Sequence, residues 1–258
     1  MIAGLLILSS LLNVAVADSS CPPWPDLGPR FLLRRSWLNA WHKPVFILQG
    51  AAVDNPDNDQ ARFVLDKQCG SFRTDLDFRE ANTKEGDGRR FAATDAKHAF
   101  CGAKILVKDC TDAGDPLFTI MSDDCFVQDY DIHRGDEKGP VVYKVVRDGS
   151  ILSRFHNLTV PLAGGEAVFA TAEQQLRSPV FQNHVITVNA TVALALTEQQ
   201  RLEAAGLFAM IIATRMLDLD ENGDGCTAFQ IYGIPLLVLC SLLCVCVLVK
   251  ALVTRLKK

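Results

Sequence analysis

Apolar and polar positions alternate along the middle of the chain with the period of β-strands. Residues Lys104 to Asp109 and Pro116 to Met121 flank a Thr111-Asp112-Ala113-Gly114-Asp115 turn, and Phe126 to Ile132 and Val141 to Arg147 flank a second turn rich in charge and glycine. Ile151 to Phe155, Leu158 to Leu162, Glu166 to Ala170 and Val180 to Val192 continue the series, with Gly164-Gly165 as another turn signal. An antiparallel meander is therefore predicted. Upstream, Pro44 to Leu48 and Ala61 to Leu65 read as further strands, alternation from Gly70 to Arg90 is patchy, and Asn82 to Arg90 reads as a loop.

After the meander the period changes. Thr197-Glu198-Gln199-Gln200 is a capping box, with a hydroxyl residue at the cap and a glutamine three places on. The helix it opens runs from Ala204 to Ala213 without a polar face, the pattern of a helix enclosed on all sides. Its 11 apolar-rich residues to Thr214 reach only about half of a hydrocarbon core, so protein and not lipid must enclose it. A sheet that curls round one helix satisfies both patterns. The predicted fold class is mainly β: an antiparallel barrel-like sheet wrapped around one buried hydrophobic C-terminal helix, with a separate transmembrane helix.

The two ends carry membrane-directed signals. Ile2 to Leu12 is uncharged and leads to Ala15-Val16-Ala17, which suits signal peptidase, so residues 1–17 are expected to be removed. Ile231 to Val249 gives 19 uncharged residues, enough for one membrane span. Tyr232 stands at its interface and Pro235 in its first turn. Lys250, Arg255, Lys257 and Lys258 follow the span, while Asp218, Asp220, Glu221 and Asp224 precede it, which predicts a cytoplasmic C-terminus. The expected organisation is a signal peptide (1–17), a proline-rich lead-in (18–30), an extracellular or lumenal β domain (31–218), an acidic juxtamembrane linker (219–230), the span (231–249) and a basic tail (250–258). A type I protein of a secretory-pathway membrane follows, with the plasma membrane as the expected destination.

Charge and cysteine use sharpen this picture. Setting aside the four tail cations, the chain's net charge of -4 becomes about -8 on the ectodomain, which disfavours nucleic acid and anionic lipid surfaces as partners. Six cysteines fall outside the expected span, at Cys21, Cys69, Cys101, Cys110, Cys125 and Cys226. An oxidising lumen permits three disulfides among them in any of fifteen pairings. Cys244 and Cys246, near the cytoplasmic end of the span, are lipidation candidates, or small apolar residues packed in lipid. Asn157-Leu158-Thr159 and Asn189-Ala190-Thr191 are acceptor sequons on the lumenal side.

Few residues point to chemistry. Asp220-Glu221-Asn222-Gly223-Asp224-Gly225 resembles the first half of a calcium loop, with Asp220, Asn222 and Asp224 as candidate ligands. The twelfth position is Ile231, where a bidentate glutamate should close the shell, so an acidic linker is the competing reading. Calcium aside, no cofactor is expected. Arg134-Gly135-Asp136 falls in a predicted turn, where such residues are ordinary. His42, His98, His133, His156 and His184 show no metal or protease spacing, and no Gly-X-Ser-X-Gly elbow is present. Trp37, Trp41 and Phe46 are expected in the core rather than in an exposed patch.

The run Lys104-Ile105-Leu106-Val107-Lys108-Asp109, leading to Asp115-Pro116-Leu117-Phe118-Thr119-Ile120, is followed by the strand Tyr130-Asp131-Ile132 and by the helix Ala204 to Ala213 ending near Asp218. Over roughly 103–218 this order resembles the tubby-like superfamily, which includes the phospholipid scramblases. The resemblance implies a closed barrel of about twelve strands threaded by the helix. Tubby-like proteins bind phosphoinositide headgroups through Lys and Arg on the cytoplasmic side. An acidic domain on the opposite side of the membrane departs from that, so the activity does not transfer with the fold. The expected function is a non-enzymatic binding ectodomain for an extracellular or lumenal protein or lipid partner; the alternative is a scramblase-like lipid-binding or lipid-transfer membrane protein.

Overall fold

Each strand of the molecule pairs with its neighbours in sequence, and the last pairs with the first. The computed structural model describes residues 21–36, 44–56, 60–67, 75–81, 88–98, 103–122, 129–148, 155–178 and 181–218. Within these, β1 (Arg30–Ser36), β2 (Val45–Gln49), β3 (Phe63–Lys67), β4 (Leu76–Glu80), β5 (Arg90–His98) and β6 (Ala103–Asp109) form one half of the sheet. The other half is β7 (Phe118–Ser122), β8 (Tyr130–Arg134), β9 (Val141–Arg147), β10 (Phe155–Leu162), β11 (Gly165–Ser178) and β12 (Phe181–Val188). All pairs described are antiparallel, and β1 closes on β12 with Leu33 opposite His184, giving a closed barrel of twelve strands. Closure leaves no open sheet edge, which protects a β-rich chain from pairing with other copies.

Two helices follow the sheet, the short α1 (Ala190–Leu194) and α2 (Glu198–Asp218). Thr197 caps α2 as its sequence requires: the Gln200 N–H donates to Thr197 Oγ1 at 3.3 Å, and the Thr197 N–H donates to Gln200 Oε1 at 3.0 Å. From Glu203 to Leu217 every residue of α2 is buried, which is what an all-round apolar helix demands. The helix threads the barrel. Inward residues of the strands, including Leu33, Ile47, Leu65, Phe78, Ile105, Ile120, Ile132, Val145 and Leu158, form one core with Leu207, Phe208, Ile211 and Ile212 of α2.

The barrel has two different ends. At the entry rim, where α2 begins, the interior is aromatic: Phe63 packs edge to face with Phe78 and Phe91, which are tilted against each other, with centroids 5.4–6.2 Å apart. Trp24 of the lead-in seals this end, edge-on to Phe78 at 6.1 Å and to Phe118 at 6.5 Å. Gly206 makes room for it, because a Cβ there would lie 2.2 Å from the Trp24 ring. A disulfide between Cys21 and Cys110 fastens the lead-in to the end of β6, with Cα atoms 5.5 Å apart. At the exit rim, where α2 ends, the buried side chains turn polar: Arg35, Lys67, Thr94, Ser122, His156, His184 and Arg215.

Several expectations are corrected. Arg90 does not end a loop but begins the nine-residue strand β5. The strand expected from Val180 to Val192 stops at Val188, because Asn189 turns the chain into α1: its side-chain oxygen accepts from the N–H groups of Thr191 (3.1 Å) and Val192 (3.4 Å). β1 begins in the expected lead-in, and its outward residue Leu32 is buried because Ala52 and Val53 of a short 3-10 turn cover it, with Leu48, Ala61 and Val185. No helix among the described residues is long and apolar enough to cross a membrane. The expected span Ile231–Val249 lies outside the described residues, as do the signal peptide and the tail, so the separate transmembrane helix has no support here.

Candidate functional site

A recess formed by described residues lies at the entry rim, between the lead-in, the end of β12 and the two helices. Its volume is about 320 Å³, within the range of small-ligand sites. Local sequence builds it in steps. A bulge in β11, where the register against β10 shifts between Leu158 and Thr159, adds Phe169 between Val168 and Ala170 and buries its ring. The Phe169 carbonyl accepts from the Asn189 N–H at 2.7 Å, which sets where α1 starts. From there α1 presents Ala190, Ala193 and Leu194, and the first turns of α2 supply Arg201, Leu202 and Ala205.

The lining is chiefly apolar, with one charge of each sign. Leu194 is 84% exposed beside the opening, far more than the other large apolar side chains that reach solvent. Among the described residues Arg201 makes no side-chain hydrogen bond or ion pair, while its backbone N–H donates to Thr197 O at 3.0 Å. Asp26, at the other edge, accepts the Gly28 N–H through Oδ1 at 2.9 Å. The arrangement suits holding an apolar group with a charge at its end. Among the described residues its lining holds no Ser, Thr, Cys, His, Lys or Tyr, and Asp26 is its one carboxylate.

A second, smaller recess of about 210 Å³ between β9 and β10 is lined by both partners of an ion pair, Lys144 with Glu166 at 2.8 Å. That pair raises the Lys144 ammonium above its usual range through its hydrogen bond and charge. The charges there already have partners, unlike Arg201.

The exit-side interior brings together residues that sequence spacing left scattered. Burial, with the Arg215, His184 and Arg147 charges, pushes the His156 imidazole down to about 3. Burial and Arg215 push His184 down to about 4. Both rings are neutral at physiological pH, and neither His156 nitrogen has a hydrogen-bond partner. Arg35 donates to the Met216 carbonyl in the last turn of α2, where a cation suits the helix dipole.

The motifs singled out by sequence fall as follows. Arg134 of the Arg-Gly-Asp triplet pairs with buried Glu203 of α2 at 2.8 Å and stacks over Phe118 at 4.6 Å, so it holds the helix at the entry rim. Asp136 Oδ1 accepts the Lys138 N–H within the turn. His133 contacts the Gly139 carbonyl through Nδ1 at 2.9 Å. Asn189 is exposed at the recess, whereas Asn157 is half-buried on the outer face of β10 and accepts from Thr171 Oγ1 at 2.8 Å. Phe46 is partly buried against the small outer cluster rather than in the main core.

Cys21 and Cys110 are bonded; Cys69, Cys101, Cys125 and Cys226 lie outside the described residues. So do the candidate calcium ligands Asp220, Asn222 and Asp224, the candidates Cys244 and Cys246, and Trp37, Trp41 and His42. Among the described residues no group of three or more His, Cys, Asp or Glu side chains is placed to hold a metal ion. No family model, curated protein or solved structure matches the chain.

Sequence reasoning missed the recess because its walls are remote in the chain, from Asp26 to Ala205, and meet only when the barrel closes. One local signal was available: asparagine after a β run and before Ala190-Thr191-Val192 is a helix cap as well as a sequon.

Proposed function

We propose that the protein is a membrane-tethered glycoprotein of the secretory pathway, type I in orientation, whose tubby-like barrel is a non-enzymatic binding module for an extracellular or lumenal partner. The supporting observation is the entry-rim recess, an apolar cavity of about 320 Å³ with the exposed Leu194 at its mouth. Its position suits a tethered receptor. The chain leaves α2 at the exit rim, the end of the barrel opposite the recess. The likeness to tubby-like proteins draws support from the twelve-strand closed barrel threaded by an apolar helix. The scramblase-like alternative needs α2 to leave that barrel or the protein to offer a lipid cavity, and burial of the helix from Glu203 to Leu217 disfavours the first route.

The test uses the full chain, purified in lipid nanodiscs from eukaryotic membranes, and analyses by mass spectrometry the small molecules released on denaturation. Ala193→Trp fills the recess from a position on α1 that is 8% exposed. The reading expects an amphiphile released from the wild type and lost from Ala193→Trp. Identical extracts from the two proteins, or none beyond the nanodisc lipids, would remove the recess as the binding site.

A further inference from the structure

We infer that the entry-rim recess takes a singly charged anionic amphiphile, an aliphatic chain ending in a carboxylate, with Arg201 as the residue that receives the head. This rests on the recess being a binding site and adds the chemistry of its ligand. Three observations converge. The walls are aliphatic for the most part, formed by Pro29, Val188, Ala193, Leu194 and Leu202, with the Phe169 ring as the aromatic member. Such a lining takes an alkyl chain and offers little that a polar group would recognise.

The second observation is Arg201. Among the described arginine side chains Arg30 pairs with Asp54, Arg89 with Glu80, Arg134 with Glu203, and Arg79 and Arg90 with Asp77; Arg34 donates to the Pro56 carbonyl and Arg35 to that of Met216, and Arg147 and Arg215 are engaged as well, unlike Arg62 and Arg201. Arg62 is exposed to water, whereas Arg201 is half-buried in the wall of an apolar cavity. A guanidinium held there presents a planar fork matched to a carboxylate, and the surrounding apolar walls strengthen that contact over its value in bulk water. The third is Asp26 at the opposite edge. Its carboxylate repels anions, and a doubly charged phosphate monoester more than a singly charged carboxylate, which favours the carboxylate of the two. The exposed Leu194 extends the apolar surface past the rim, where it covers chain that the cavity does not hold.

The experiment titrates the full-length protein in nanodiscs with octanoate, octanamide and octyl phosphate at pH 7.4, following ligand signals by NMR against empty nanodiscs. Octanoate should bind about tenfold more tightly than octanamide, and octyl phosphate more weakly than octanoate. Arg201→Gln should abolish the preference for octanoate over octanamide without weakening octanamide, and Arg201→Lys should restore part of it. An unchanged melting temperature confirms that these variants are folded. Octanamide binding as well as octanoate, or octyl phosphate binding more tightly, would overturn the assignment of ligand class while leaving the recess a site. No saturable binding of any of the three would overturn the recess itself.

Discussion

Gly206 and Trp24 form a matched pair whose fit is steric. Packed as it is, the helix has no space for a methyl group at Gly206, and the flexible element that must give is the lead-in. Gly206→Ala is expected to displace Trp24, lowering stability by about 1–3 kcal/mol despite alanine's better helix propensity, with a red shift of tryptophan emission. Urea titration with fluorescence detection checks both. His156 and His184 make a different prediction. Their folded pKa values lie below the 6.5 of a free imidazole, so below that pH the unfolded chain binds more protons than the folded one. Stability contributed by the two neutral rings is therefore complete above about pH 6.5 and falls toward pH 4, by about 1.4 kcal/mol per pH unit for each ring once the unfolded imidazole is mostly charged. Replacing both by asparagine should flatten the urea midpoint between pH 6 and 4.5 relative to wild type; an unchanged slope would mean the rings titrate alike in both states.

At the scale of the element, Asn189 is both the cap of α1 and the first residue of a sequon. The Asn189 oxygen caps α1, leaving its amide nitrogen as the group a glycan would modify. Asn189→Asp keeps the cap and removes the attachment point, so it should lose one glycan from the intact mass with little change in stability. Asn189→Ala loses both, at an additional cost of about 1 kcal/mol. Mass spectrometry and denaturant melts of the two variants separate the roles. The two ends of α2 also show what was legible in sequence. Its start was readable from Thr197 and Gln200, and its burial from the run Ala204 to Ala213, because both signals are local. Strand β5 was not, since Ala92, Ala93 and Thr94 have weak patterning and their burial depends on the fold around them. The meander from β6 to β11 was visible because polar turns punctuate it. The recess, the Arg134–Glu203 latch and the histidine pair were invisible because each joins residues distant in the chain.

For the molecule as a whole, the Cys21–Cys110 bond fixes the plug to the barrel and closes a sequence separation of 89 residues. Cys110→Ser should lower stability by about 2–5 kcal/mol, and the loss should include freeing of the lead-in, seen as faster hydrogen exchange around Trp24. The strands that bracket Cys69, Cys101 and Cys125 end at the opposite rim, away from this staple. The helix through the centre has a mechanical meaning as well. Any tension applied to the chain beyond Asp218 enters along α2, which among the described residues is the one element packed inside the barrel from rim to rim. Such a pull does not peel strands apart singly: it must drag a row of buried side chains past their neighbours together, with Arg35 gripping the last turn and Arg134 holding Glu203 near the start. Resistance of that kind is governed by the rate of unfolding and not by its equilibrium, so toward any load on the chain beyond Asp218 the barrel would act as a toggle on a cord.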